Sequence, residues 1–228
     1  MADRVPLDLD PPVRQLRALL LGITDDDLRS PTPCDDWTVG DLLDHIVDFA
    51  RAFAQAAEKL TDAPGTATPA PPPAVARLPT LWRGRLPVML EELATAWKNP
   101  AAWTGSAQVG GGTMPAAAAG TTAVNELTMH GWDLARATGQ DFAADPRILE
   151  ALIEFLSAPK ALGPPGSGGP DFPPQIAGRA GPGLDASDEQ ALLEQALILS
   201  GRDPKWRPPR PTIPAQRGVS ARSSLAAE

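Results

Sequence analysis

Cysteine is almost missing from this chain of 228 residues: Cys34 stands alone, so no internal disulfide can form and a reducing compartment is expected. Basic charge is short too. The 20 Lys and Arg residues against 28 Asp and Glu leave a net charge of −8 and a pI near 4.8. Non-specific nucleic-acid binding rests on phosphate neutralisation by Lys and Arg, so no DNA or RNA partner is expected. No apolar run approaches the ~20 residues that cross a bilayer. The opening MADRVPLDLD has no apolar targeting core. These absences point to a cytoplasmic protein without membrane contact. No alternating strand pattern stands out. The acidic run Asp25, Asp26, Asp27 lacks calcium-loop spacing and reads as a solvated helix end.

Proline and glycine, by contrast, are plentiful, at 27 and 20 residues. They divide the chain into helical stretches and irregular connections, and the length suits one domain with appendages. A first helix is expected from Pro11 or Pro12 through VRQLRALLLGI, with Val13, Leu16, Leu19 and Leu20 as its apolar stripe. Thr38 and Asp41 resemble a capping box opening a second helix, whose stripe is Val39, Leu42, Leu43, Ile46, Ala50, Phe53 and Ala57. A third is expected from Leu78 to Trp97. A fourth starts at Thr113 or Pro115 and stops at Gly139. Shorter helices are expected over 145–157 and 187–200. The fold class is therefore all-α: a four-helix bundle with extra short C-terminal helices and Pro/Gly-rich loops. The bundle domain is placed at 1–206, with flexible inserts at 61–75 and 160–184 and a disordered tail at 207–228. WTGSAQVGGGTMP lacks the lysine and spacing of a phosphate loop and reads as a hinge.

Histidine is also scarce, and its two occurrences both fall in amphipathic helices: His45 in LLDHI, and His130 four residues after Glu126. Residues four apart share a helix face, so Glu126 and His130 can grip one ion, with His45 adding a third ligand from a second helix. Two imidazoles and a carboxylate suit a divalent first-row ion and leave positions open for water or substrate. The same spacing also occurs in solvated hydrogen-bonding pairs. Small or polar neighbours on that face, Ala119, Thr122, Ala123 and Asp133, leave room for an ion. Asp133 could orient an imidazole as a supporting carboxylate, pair with Arg136, or cap another helix. Trp37 and Trp132 either pack between helices or wall a pocket. Asp44 and Asp48 read as a solvated face. Cys34 precedes the second helix, where it reads as a buried structural cysteine, with a redox handle or a place at the site entrance as the alternative. Its distance from His45, roughly 16 Å if the helix began near residue 35, would keep it from being a ligand unless the loop folded back.

The series PTPCDDWTVGDLLDH, TMPAAAAG, NELTMHGWDLARATGQ and LSGRDPKW resembles the DinB-like metal-binding helical bundles, and in particular those related to mycothiol-dependent maleylpyruvate isomerases, over residues 8–206. The resemblance implies a divalent metal, zinc or nickel, held by His45, Glu126 and His130. It further implies a low-molecular-weight thiol, mycothiol or bacillithiol in other branches, as cosubstrate, with the metal-bound thiol or a water as nucleophile. The isomerases resembled carry a C-terminal α/β domain that supplies a catalytic arginine. Here the sequence after Ala158 is short and Pro/Gly-rich, so thiol S-transfer to a small electrophile is expected ahead of maleylpyruvate isomerisation. A non-catalytic protein that sequesters a metal or small molecule is the alternative. The partner is a small molecule, and the protein is a monomer or a homodimer.

Overall fold

In a computed structural model, which describes residues 6–158 and 189–209, four long helices form the bundle: α1 (Asp10–Gly22), α2 (Val39–Ala57), α4 (Trp82–Trp97) and α5 (Ala116–Thr138). A single helical turn, α3 (Pro64–Ala67), lies between α2 and α4, and α6 (Pro146–Ser157) packs against α7 (Glu189–Leu199) beside α5. Among the described residues the fold is all-α apart from one small hairpin. The expected stripes are the ones that close the core: Val13, Leu16, Leu19 and Leu20 of α1 are buried, as are all seven stripe residues of α2.

Local chemistry sets the helix ends. Thr38 and Asp41 form a reciprocal capping box, the Thr38 side chain accepting from the Asp41 N–H and the Asp41 carboxylate accepting from the Thr38 N–H. Gly139 ends α5 in the left-handed conformation at φ 69°. Helix α4 starts at Trp82 rather than Leu78, because Pro79 pushes the residue before it toward extended backbone and Leu78 sits at ψ 121°.

The segment read as a glycine hinge is a β-hairpin. β1 (Ser106–Val109) pairs antiparallel with β2 (Gly112–Pro115), and Gly110 and Gly111 turn between them at φ 58° and 81°. Two positive φ values are what a tight primed turn requires. The hairpin delays the start of α5 to Ala116. It also anchors the Pro-rich segment 61–75, for which no helix was expected. Gly110 and Gly111 donate to the carbonyls of Gly65 and Thr66, Pro64–Ala67 is helical, and Thr66 is fully buried. At its other end, the Ala74 and Val75 N–H groups donate to the carboxylates of Asp44 and Asp41. Asp44, expected on a solvated face, is buried and ion-paired with Arg77. The insert at 160–184 and residues 210–228 of the expected tail lie outside the described residues. Among the described residues, no helix is long and apolar enough to cross a membrane.

Candidate metal centre and its cavity

Helices α2 and α5 pack side by side, and this contact brings the two histidines together. His45 sits two turns into α2, on the shoulder of the apolar stripe, and its ring centroid lies 4.9 Å from that of His130. Glu126, one turn before His130 on α5, is the meeting point. Its Oε2 is 3.0 Å from His130 Nε2 and 3.2 Å from His45 Nε2. Burial works against the charge on Glu126, but the hydrogen bonds from His130 and His45 outweigh it and hold the carboxyl well below the usual carboxylate range.

Behind this cluster stands a second layer. His130 Nδ1 is 2.9 Å from Asp133 Oδ2, one turn further along α5. Asp133 is completely buried, and Arg202 grips both its oxygens, Nε to Oδ1 at 2.8 Å and Nη2 to Oδ2 at 2.7 Å. Burial disfavours the Asp133 carboxylate, yet the Arg202 charge and the His130 hydrogen bond keep it ionised, with its pKa driven down. His130 is likewise held well above its ordinary value. Burial opposes its charge, and Asp133, Cys34 and Glu126 as hydrogen-bond partners override that. Asp133 thus faces the His130 imidazole and the Arg202 guanidinium rather than Arg136. Arg136 instead donates to the Trp206 carbonyl and lies over the Trp132 ring.

Cys34 is closer than the sequence suggested. The loop between the first two long helices folds back through a bridge between Pro31 and Thr38, with Thr32 bonded to the Trp37 carbonyl and Asp36 at φ 63°. This places Cys34 Sγ 3.2 Å from Asp133 Oδ2 and 3.9 Å from His130 Nδ1. Burial and then the Asp133 charge push its thiol up.

Two donor sets therefore share His130: His45, Glu126 and His130 on one side, Cys34, His130 and Asp133 on the other, each with its ligand atoms within 4.8 Å of one another. They differ in fitness for a cation. The guanidinium of Arg202 reaches within 3.5 Å of His130 Nδ1 and already neutralises Asp133, so the second set presents a positive charge where an ion would sit. In the first set, the atoms that face one another, His45 Nε2, Glu126 Oε2 and His130 Nε2, have no guanidinium or ammonium group bonded to them among the described residues. His130 Nδ1–H points to Asp133 and Nε2–H donates to Glu126; an ion displacing the Nε2 proton would leave the Nδ1–H···carboxylate bond in place, the arrangement that ligating imidazoles adopt. The donor chemistry fits a divalent ion with room to spare for another ligand.

That room is a cavity of about 920 Å³ lined by His45, Glu126 and His130 together with Trp37, Phe49 and the prolines of segment 68–73. Trp37 lies 5.0 Å from the His45 ring, so the pocket-wall alternative holds for it, while Trp132 is buried among the helices. The sequence reading missed Arg202. It also missed Asn125, whose buried Oδ1, beside the same cavity, has no hydrogen-bond partner among the described residues. The LSGRDPKW motif was the available signal for Arg202.

The model for the family described as mycothiol maleylpyruvate isomerase N-terminal domain matches residues 9–135, more than half of the chain and inclusive of His45, Glu126 and His130. This chain belongs to that family. The uncharacterized proteins Rv0738 and MT0763 of Mycobacterium tuberculosis are each 28% identical to it over 205 residues, covering 90% of this chain and 92% of theirs. A crystal structure of a mycothiol-dependent maleylpyruvate isomerase is 20% identical with a TM-score of 0.49, and a mutant of that enzyme 17% identical at 0.48. In both cases 65% of this chain is aligned, and the chain spans 66% of the solved enzyme.

Proposed function

We propose that this protein is a divalent-metal-dependent enzyme that uses a low-molecular-weight thiol of the mycothiol kind to attack a small electrophile, by S-transfer or by isomerisation. The observation that carries this reading is the convergence of both histidine Nε2 atoms on one Glu126 oxygen, at the wall of a cavity large enough for two small molecules. Membership of a family whose description names mycothiol supports a thiol of that kind. His45, Glu126 and His130 would hold zinc or nickel, which when bound lowers the pKa of a thiol and orients its sulfur. Asp133 and Arg202 fix the His130 ring, and Trp37 and Phe49 keep bulk water from the reacting sulfur. The thiolate then displaces a leaving group or adds across an activated double bond.

Metal content by plasma mass spectrometry on untagged protein is the first test. About one equivalent is expected in the wild type and a loss in each of His45→Ala, Glu126→Gln and His130→Ala. Mycothiol-dependent consumption of 1-chloro-2,4-dinitrobenzene, with one chloride released per C–S bond formed, is expected to follow the metal. Stoichiometric binding without turnover would shift the reading to sequestration. No metal after incubation with zinc and nickel would overturn it.

A further inference from the structure

The cavity beside the donor cluster is walled by rings and apolar groups: Trp37, Phe49 and Phe53 share it with Pro69, Pro71 and Met129. The prolines contribute no N–H, so the strap at 68–73 brings few main-chain donors to an anion. Among the described residues the lining holds two guanidiniums, Arg51 and Arg202, against the carboxylates of Asp35, Asp48 and Glu126. Neither guanidinium is free. Arg202 is gripped by both oxygens of the buried Asp133, and its Nη1 faces the Ser200 carbonyl at 3.5 Å. Arg51 is paired with Asp48 at 3.4 Å. An entering carboxylate would have to strip Arg202 from the buried Asp133, leaving that charge only its His130 and Cys34 hydrogen bonds, or meet an Arg51 already paired with Asp48.

We propose that the electrophile selected by this cavity is uncharged and ring-bearing, an aromatic or alicyclic compound rather than a carboxylate or dicarboxylate. This rests on the reading that the cavity receives the substrate of a thiol transfer. In that transfer the thiolate attacks a ring carbon bearing chloride, the C–S bond forms, and the C–Cl bonding pair leaves as chloride after an electron-withdrawing nitro group has carried the added charge.

The test uses a matched pair, 4-chloro-3-nitrobenzamide and 4-chloro-3-nitrobenzoate, which differ in the carboxylate. With zinc-loaded protein and saturating mycothiol, kcat/KM for each is divided by its uncatalysed rate with the same thiol. A preference of about tenfold or more for the amide is expected. Asp48→Asn, which releases Arg51, narrows that preference. Equal use of the two compounds, or a preference for the benzoate, overturns the inference. Calorimetric titration of both compounds without thiol, into zinc-loaded and chelator-treated protein, reads the cavity alone. Tighter binding of the amide in both forms supports the inference, and tighter binding of the benzoate, or binding of neither, sinks it. If the amide binds and mycothiol turns over neither compound, the thiol-transfer reading falls while the charge selectivity of the cavity stands.

Discussion

Asp133 accepts from His130, from Arg202 and from Cys34, and it has no access to water. Such a group is expensive to disturb from either side. Asp133→Asn keeps the shape and removes the charge that orients His130, so metal affinity is expected to fall about 10–100-fold in competition with a chelator. Arg202→Met leaves the buried carboxylate without its guanidinium and with only the His130 and Cys34 hydrogen bonds, and urea melts are expected to show a loss of about 3 kcal/mol. Cys34 takes its character from the same neighbour. Burial and the Asp133 charge keep the thiol protonated, so iodoacetamide at pH 8 is expected to alkylate it more slowly than free cysteine, and Asp133→Asn to speed it up. Glu126 and His130 were legible because one helical turn makes them neighbours, and His45 because histidine is so rare. Arg202 was not, since it meets Asp133 across 69 positions of sequence and no local periodicity carries that distance. The closeness of Cys34 to His130 and Asp133 was not legible, because it depends on the bridge between Pro31 and Thr38 that turns the chain back, a contact no helical spacing encodes.

Helix α2 works on two sides at once. Its inward stripe builds the core and its polar edge ties down the strap, since Asp41 caps the helix and also accepts from the Val75 N–H. Burial alone would raise the Asp41 carboxyl, but the hydrogen bonds from Thr38 and Val75 hold it below the usual carboxylate range. A carboxyl depressed in the folded state stabilises the fold above its unfolded value of about 3.9, and that contribution is lost as pH falls from there through the folded value. Asp41→Ala is therefore expected to cost about 1 kcal/mol at pH 7 and to flatten the acid limb of the stability profile, as read by melts between pH 7 and pH 3. Periodicity made α1 and α2 readable, since each buries an apolar stripe, whereas α5 is buried on every side from Thr122 to Ala135. The hairpin escaped because its strands are four residues long, too short for an alternation to stand out. Its signal was the pair Gly110 and Gly111, each at positive φ.

Across the whole molecule, the donor cluster ties α2 to α5, so an ion bound there adds its binding free energy to that of the fold. At a free zinc concentration about 100 times the dissociation constant the gain is about 2.7 kcal/mol. That corresponds to a rise in Tm of about 5–10 °C for a protein of this size. Calorimetry with and without chelator is expected to show that rise in the wild type and not in Glu126→Gln. The all-α class was readable from the alternation of helical stretches with proline and glycine. The closure of the site by the segment after α7 was not, because it depends on a contact between parts of the chain that share no pattern. The strap at 68–73 belongs to the same level of organisation. Its ends are clamped, to the hairpin at Gly65 and Thr66 and to α2 at Ala74 and Val75, while its middle lines the cavity and contributes nothing fully buried to the core. Selection can therefore rewrite Pro69 to Pro73 without unfolding the bundle or moving a donor atom. On the proposed reading of the cavity as the substrate's place, a lineage that keeps His45, Glu126 and His130 can change the compound it accepts by editing that one stretch.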